Sequence, residues 1–441
     1  MKTVGWEHFK ARLIMRKATL IVLIAFTSLL PLTFLDLNEP TRSLVVYKLL
    51  AKAGSLCGTV LILWQFLLGF RTAVGKLMRD YLWVLAAHKQ IGKYILLLVV
   101  LHPIFITLYY IEKKNINPLL LEGTAYFDWW VLAGIFAFVL FLAVVLTSVF
   151  WRERLGRIKW YSVHILSYAA LALVLGHGFA LGSTIGTTGA YYFWTALSLI
   201  AASFLIYRLS CRAGFMSARC VVTNVENIRH NVTRISCEPL GRKLNPRLGQ
   251  FVFFRRGLKG RIRPFTVSHY EPQTGELSIT VKAFGSTTQN LQKIKTGETV
   301  YIDGPYGVFS QAALTTNRPI VMIAGGIGIT PFTRLFEELA YEPDRELHLF
   351  YANKKKHQIL YKEELENKET VNVIHVLSDQ PEYHGETGYI TTDVLKKYLH
   401  RPLDEYEFLI CGPPEMTEEL ESALTQDDVP SAQIHHELFG Y

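Results

Sequence analysis

The chain has 441 residues, half of them hydrophobic, and its mean hydropathy is +0.21. These values exclude an ordinary soluble protein, the polar C-terminal half excludes a protein made of membrane spans alone, and the length suggests about three domains. The net charge of +9 does not indicate a nucleic-acid partner, because the basic residues cluster beside hydrophobic segments, where they set membrane topology. The five cysteines show no CxxC spacing, so neither a disulfide framework nor a zinc site is predicted.

Six apolar segments in the first half of the chain are long enough to cross a hydrocarbon core of about 30 Å. They are predicted at 18–36, 45–70, 91–111, 127–150, 161–181 and 189–208. Basic residues concentrate at the N-terminus and after spans two, four and six. The positive-inside rule therefore predicts a six-span protein of the inner cell membrane with both termini in the cytoplasm. No small-residue cleavage site follows the first span, which is predicted to be an anchor.

Spans three and five carry two pairs of histidines at nearly equal separations, His88 with His102 and His164 with His177. Ionisable side chains at membrane depth are costly and usually functional, and neutral imidazole is an iron ligand. Fourteen residues of helix make about four turns, so His88 and His102 share a face. Thirteen residues leave His177 off the face of His164, so span five needs a bend or bulge, for which Gly176 is a candidate. The alternative is that these histidines only pack helices together.

The segments HKQIGKYILLLVVLHP and WYSVHILSYAALALVLGH resemble the third and fifth helices of the ferric reductase transmembrane domain. NADPH oxidases and ferric reductases share this domain, and the family has the same two spacings. The resemblance implies two bis-histidine b-type haems. One would be held by His88 and His164, and the other by His102 and His177.

Residues 213–312 are predicted to form an antiparallel β-barrel, since short alternating strands follow one another with turns. The segment RPFTVS offers an arginine for a phosphate, an aromatic ring and hydroxyls. With KAFGSTT and GPYG after it, this order resembles the FAD-binding half of the ferredoxin reductase superfamily. The resemblance implies that Arg263 contacts the pyrophosphate, Phe265 stacks on the flavin and Thr266 approaches its N5. The predicted FAD-binding residues are Arg263, Pro264, Phe265, Thr266, Val267, Ser268, Lys282, Gly285 and Thr288.

Residues 313–441 alternate strands and helices, which predicts a doubly wound α/β domain with a parallel sheet. After its first strand, Gly325, Gly326 and Gly328 would let backbone amides approach a pyrophosphate at a helix N-terminus. Thr330 is predicted to cap that helix and Pro331 to fit its first turn. The loop does not have the GxGxxG spacing.

Two further motifs fit the same superfamily. Cys411, Gly412 and Pro413 resemble the loop whose cysteine lies beside the nicotinamide, whereas the alternative for Cys411 is a small buried hydrophobe. The family's C-terminal aromatic covers the flavin, and Phe439 is predicted for this role, with Tyr441 as the alternative.

Three consecutive lysines, Lys354, Lys355 and Lys356, follow the second strand of the α/β domain. In this family the adenosine ribose lies there, so the lysines could hold a 2′-phosphate. NADPH is therefore the predicted coenzyme and NADH the alternative. A solvated basic loop would have the same composition.

Taken together, the chain resembles a bacterial-type NADPH oxidase or ferric reductase without EF-hands, with a transmembrane di-haem domain (1–212), an FAD barrel (213–312) and an NAD(P)H domain (313–441). The resemblance implies electron transfer from NAD(P)H through FAD and two haems to an external acceptor, with Thr266, Cys411 and Phe439 as catalytic residues. Oxygen, giving superoxide, is the predicted acceptor because the external loops carry no His, Cys or Met cluster. An alternative acceptor is a ferric chelate. A second alternative is that the protein donates electrons to a periplasmic partner protein, although the prediction does not require such a partner. A third is a transporter with a fused regulatory domain.

Overall fold

The computed structural model describes residues 2–70, 74, 78, 80–120, 125–229, 231–339, 345–367 and 370–438. The chain forms two compact units, one of residues 13–209 and one of residues 210–441 together with residues 1–12.

The described residues include six helical segments long and apolar enough to cross a membrane, as the hydropathy pattern predicts. These spans are Ile14–Phe34, Arg42–Leu68, Trp83–Lys114, Tyr126–Val149, Ile158–Leu181 and Gly189–Ala213. The helices are α1 (Lys2–Leu29), α2 (Arg42–Lys52), α3 (Gly58–Leu68), α4 (Tyr81–Val99), α5 (Leu101–Lys114), α6 (Ala125–Val149), α7 (Arg152–His164), α8 (Ser167–Leu181) and α9 (Thr188–Ala213).

Span three begins earlier than the apolar pattern suggests. Helix α4 starts at Tyr81, because the Asp80 carboxylate accepts a hydrogen bond from Trp83 N at 3.1 Å and caps the first turn. His88 therefore lies within a helix.

Span five is interrupted at Ile165 and Leu166, between α7 and α8, and not at Gly176. The Ser167 hydroxyl donates to the His164 carbonyl oxygen at 2.7 Å, which satisfies an acceptor at this break. The interruption falls between the two histidines. Its i→i+3 hydrogen bonds, such as that from Tyr168 N to Ile165 O at 3.0 Å, tighten the helix there and so change the angle between the faces of His164 and His177.

Span two contains a π-helical turn at Ala53–Cys57, which joins α2 to α3. Such wide turns are rare and frequently mark functional positions.

Six strands form a closed barrel in the order β1-β2-β5-β4-β3-β6. All pairings are antiparallel, and Ile235, Val252 and Ile279 are among the fully buried residues of its core. The strands are β1 (Ala218–Arg229), β2 (Val232–Pro239), β3 (Phe251–Arg256), β4 (Arg263–Tyr270), β5 (Leu277–Lys282) and β6 (Thr299–Tyr306), with short helices α10 (Ser286–Leu291) and α11 (Gln311–Thr315).

The α/β domain has a six-stranded parallel sheet in the order β10-β9-β8-β7-β11-β12. The strands β10 (Glu386–Thr387) and β12 (Ile434–Leu438) extend the four strands that the sequence predicts. The others are β7 (Ile320–Gly325), β8 (Leu347–Asn353), β9 (Asn372–Leu377) and β11 (Glu407–Gly412), with helices α12 (Thr330–Leu339), α13 (Lys362–Glu366), α14 (Thr392–Tyr398) and α15 (Pro414–Gln426). The strand order reverses beside β7, and ligands of such sheets bind at the carboxyl ends at this point.

Candidate functional site

The predicted flavin segment forms β4, which pairs with β3 so that Phe265 lies opposite Val252 and Thr266 opposite Phe251. The Thr266 side chain is 3% exposed, and its hydroxyl has no hydrogen-bond partner among the described residues. A buried hydroxyl is costly unless a partner satisfies it. Thr266 therefore fits a polar atom of a bound flavin.

The neighbours of Thr266 differ in exposure. Arg263 and Pro264 begin β4 and are half-buried. Phe265 stands edge-on to Phe254 with ring centres 6.3 Å apart, whereas Val267 points into the barrel core.

The Ser268 side chain lies in a buried network that joins the barrel to the α/β domain. Its hydroxyl donates to Ser278 O at 3.2 Å and accepts from Thr280 Oγ1 at 3.1 Å. The Thr280 hydroxyl lies 2.7 Å from that of Tyr361, and the Thr333 hydroxyl donates to Ser268 O at 3.1 Å. The Ser268 hydroxyl is thus satisfied within the barrel, whereas the Ser268 carbonyl oxygen and the Thr280 hydroxyl make the contacts with the α/β domain.

The predicted phosphate segment follows β5. The Thr288 hydroxyl accepts backbone N–H groups of Phe284 at 2.9 Å and Gly285 at 3.0 Å, so it closes its own loop. Lys282 Nζ lies 3.9 Å from the position that a Cβ at Gly326 would occupy. The barrel lysine and the glycine loop of the α/β domain thus meet, which suits a shared anionic ligand.

The loops after β7 and β11 approach each other so closely that glycine is required. A Cβ at Gly328 would lie 2.1 Å from Cys411 O, and one at Gly325 would lie 2.7 Å from Pro413 Cδ. A Cβ at Gly412 would likewise fall within 3.2 Å of Gly325 Cα. Two motifs more than eighty residues apart in the sequence therefore form one wall at the carboxyl edge of the sheet.

Thr330 does not cap the following helix as the sequence predicts. A 3-10 turn at Gly326–Ile329 leads directly into α12, of which Thr330 is the first residue. Its hydroxyl donates to Ile327 O at 3.1 Å instead of accepting a helix N–H. Pro331 lies in the first turn, as predicted.

Cys411 is fully buried in the apolar core of the sheet, and burial raises the pKa of its thiol well above the usual range. It pairs in register with Glu437 of β12, whose buried Oε2 has no hydrogen-bond partner among the described residues. Burial raises the pKa of Glu437 to about 8. Phe439 and Tyr441 lie outside the described residues.

Lys354, Lys355 and Lys356 are exposed and follow β8 at the same sheet edge as the glycine loop. Lys355 Nζ lies 3.8 Å from the Asp379 carboxylate. The loop presents its ammonium groups to solvent, where a phosphate could reach them.

The four histidines form two facing pairs. The ring centres of His88 and His164 are 6.3 Å apart, and those of His102 and His177 are 6.2 Å apart. Two imidazoles that bind one metal ion from opposite sides, each at about 2 Å, have ring centres roughly 6 Å apart. The residues of each pair therefore fit a haem, whose iron the two imidazoles would hold.

The outer nitrogens of these rings are hydrogen-bonded. His88 Nδ1 donates to Gln65 O at 3.1 Å, His102 Nδ1 to Ala51 O at 3.2 Å, and His177 Nδ1 to Trp130 O at 2.7 Å. A carbonyl oxygen can only accept, so each neutral ring keeps its lone pair on Nε2. Metal-bound histidines are usually oriented in this way.

His164 is positioned by side chains that the sequence pattern does not reveal. Its Nδ1 lies 3.3 Å from the Ser148 hydroxyl, which accepts from Trp160 Nε1 at 3.1 Å. The Trp160 ring stacks on the His164 ring with centres 5.0 Å apart.

Lys52 is a further residue that the sequence analysis missed, although a lysine inside an apolar span is a visible signal. It is 8% exposed, and its ammonium donates to the Ser183 hydroxyl at 3.0 Å. It follows Ala51, whose carbonyl orients His102. A buried positive charge thus lies one residue from the support of the second histidine pair.

Three family models match consecutive parts of the chain. The ferric reductase-like transmembrane component matches residues 54–175, the oxidoreductase FAD-binding domain matches 219–311, and the oxidoreductase NAD-binding domain matches 322–422. These domains and the fold define a transmembrane oxidoreductase with FAD- and NAD(P)-binding modules. Their order matches the fused architecture of the NADPH oxidases and ferric reductases.

Curated relatives each match about two fifths of the chain. NADH-cytochrome b5 reductase 1 of Lodderomyces elongisporus is 28% identical over 192 residues, which cover 41% of this chain and 64% of that protein. Its namesake from Debaryomyces hansenii is 30% identical over 194 residues, covering 41% and 68%. Among solved structures, the FAD/NAD-binding domain of a Vibrio cholerae nitric oxide dioxygenase is 22% identical with a TM-score of 0.44, covering 51% of this chain and 99% of that one.

Proposed function

We propose that this enzyme transfers electrons from NAD(P)H through FAD and two b-type haems to an acceptor across the membrane. The two histidine pairs at 6.3 and 6.2 Å carry the proposal. When bound, FAD supplies conversion of a two-electron hydride donor to one-electron steps, and the haems supply one-electron transport. The residues of the chain bind the FAD and the haems, orient them and set the distances between them.

On the coenzyme side, the loops around Gly328 and Cys411 would hold a pyrophosphate by backbone amides, with Lys282 beside them. Thr266 would hydrogen-bond the flavin ring. The relatives are named NADH reductases, whereas the exposed Lys354–Lys356 loop favours a coenzyme with a 2′-phosphate. We propose NADPH as the preferred donor and a cytoplasmic position for this half, following the positive-inside rule.

We propose oxygen as the acceptor. Lys52 follows Ala51, whose carbonyl oxygen accepts from His102 Nδ1, and its buried ammonium donates to the Ser183 hydroxyl. A positive charge near this histidine pair would stabilise a small anion such as superoxide. Lys113, which could attract an anionic ferric chelate, is bound to Glu39 at 2.6 Å. Glu39 also pairs with Lys48, so this carboxylate holds the Lys113 ammonium in place and offsets part of its charge.

The test is anaerobic reduction of the purified, FAD-loaded protein by NADPH while haem absorption is recorded, followed by oxygen or a ferric chelate in separate syringes. Rapid reoxidation by oxygen with trapped superoxide supports the proposal. Reoxidation by the chelate alone identifies a metalloreductase. Haem that is absent, or that NADPH and NADH never reduce, contradicts the electron path itself.

A further inference from the structure

The C-terminal turn of α9 contacts the barrel. Helix α9 ends at Ala213 with Gly214 at a φ of +94°, where N–H groups of Gly214 and Phe215 bond Cys211 O and Ser210 O at 3.1 Å each. This arrangement normally buries the residue after the glycine against the helix. Here Phe215 is 83% exposed.

A buried arginine connects this helix end to the hairpin between β3 and β4. Arg255 is 3% exposed, and its Nη1 donates to Arg212 O at 2.7 Å and to Leu258 O at 3.0 Å. A Cβ at Gly214 would lie 2.7 Å from Leu258 Cδ2. The hairpin and the end of the span therefore form one surface.

This surface, here called the juxtamembrane patch, combines exposed apolar side chains with cations. Its apolar members are Phe215, Met216, Leu240 and Leu258, which are 83%, 42%, 56% and 50% exposed. Its cations are the exposed Arg212, Arg219, Lys259 and Arg261. Leu240 belongs to it because its N–H bonds Arg219 O at 2.8 Å.

The charges of the patch are of one sign. The segments 212–219 and 255–263 contain no acidic residue. The neighbouring Glu298 is held by Arg256 through hydrogen bonds of 2.7 and 2.8 Å. Within the described part of the chain, none of the four exposed cations forms a salt bridge.

We infer that the juxtamembrane patch docks onto anionic lipid headgroups, with Phe215 and Leu258 entering the interface of the leaflet where span six ends. Helix α9 carries span six to Ala213, two residues before Phe215, so the patch lies next to the end of a membrane span. Exposed apolar side chains beside lysine and arginine are the combination that binds such an interface. A protein partner would need no such proximity to the end of a span.

The test places the full-length, FAD-loaded protein in lipid nanodiscs, in a Cys211→Ser background, with a small fluorophore attached at Leu258→Cys. Brominated lipids should quench this label about threefold more than a label at Tyr389→Cys, an exposed aromatic of the α/β domain. A label at Phe215→Cys serves as a second reporter, and retained FAD absorbance verifies folding of each variant.

Charge dependence is tested with nanodiscs of phosphatidylcholine, with and without phosphatidylglycerol. Quenching at Leu258→Cys should increase with phosphatidylglycerol, and Lys259→Gln with Arg261→Gln should abolish that increase. Equal quenching at positions 258 and 389, or quenching that ignores both phosphatidylglycerol and the two substitutions, overturns the inference.

Discussion

Gly134 lies directly against the ring of His177, and a Cβ at this glycine would come within 2.7 Å of both Nδ1 and Cε1. Gly134 follows Trp130 by one helical turn on α6, and the Trp130 carbonyl accepts from His177 Nδ1. One helix face therefore provides both the space for the imidazole and its hydrogen bond.

Gly134→Ala should displace His177 and reduce the haem content from the proposed two per chain toward one, because the added methyl group cannot share the space of the ring. Haem per protein, measured by pyridine haemochrome, checks this. Gly92→Ala is the matched control, since its nearest contact would be an ordinary 3.4 Å to Gln65 Oε1. Two haems with unchanged spectra in Gly134→Ala would contradict the assignment.

Thr266→Val should weaken FAD binding about three- to tenfold, because it removes one hydrogen bond to the ligand. It should not lower the stability of the FAD-free protein, since the hydroxyl has no partner there. Thr280→Val is the control with the opposite pattern, because its hydroxyl bonds Ser268 and Tyr361. FAD titration and thermal unfolding separate the two effects, and unchanged FAD affinity in Thr266→Val would remove Thr266 from the site.

The Glu39 carboxylate, 1% exposed, joins α2 to α5 through Lys48 at 2.7 Å and Lys113 at 2.6 Å. Burial alone would raise the pKa of Glu39, but hydrogen bonds from Lys113, Lys48 and Tyr109 outweigh it and lower this pKa to about 2. The stabilisation is therefore complete above the ordinary pKa of 4.5 and is lost as the pH falls toward 2.

Glu39→Gln should lower the melting temperature at pH 7 by roughly 5 °C, because it leaves two ammonium groups without their anion. The difference from the unmodified protein should narrow as the pH falls below about 4.5. Melting curves in detergent from pH 7 to 3 measure it. A difference that stays constant over this range would contradict the ion-pair assignment.

The pKa of Glu437 is shifted in the opposite direction to that of Glu39. Burial raises its pKa from 4.5 to about 8, so the folded state binds more protons than the unfolded state between these values. Stability should fall as the pH rises through this interval. Glu437→Gln should flatten the profile and be the more stable protein at pH 8, as judged by thermal release of FAD. An unchanged slope would show that another group sets it.

Replacing Lys354, Lys355 and Lys356 by glutamine should raise KM for NADPH about tenfold and leave KM for NADH unchanged, because only the 2′-phosphate loses its partners. Lys396→Gln is the control, since this lysine pairs with Asp427 at 2.8 Å. Steady-state kinetics with NADPH and with NADH measure the two KM values. An equal change for NADH would indicate a solvated loop without coenzyme contact.

Hydropathy and strand alternation suffice to predict the six spans, the barrel and the parallel sheet, because burial imposes those patterns on the sequence itself. The four histidines can be identified from the sequence because they stand out within apolar segments. The groups that orient them cannot, because the carbonyl oxygens of Ala51 and Trp130 have no sequence signature. Likewise, the hydrogen bond between Thr280 and Tyr361 has no sequence signature, because only the folded chain brings the two residues together.

The π-helical turn at Ala53–Cys57 changes the direction in which the residues after it face relative to the residues before it. Ala51 before the turn supports His102, whereas Gln65 after it supports His88. Deleting one residue within the turn would rotate one end against the other by about 100°. Span two thus consists of two short helices, and each of them orients one histidine of a different pair.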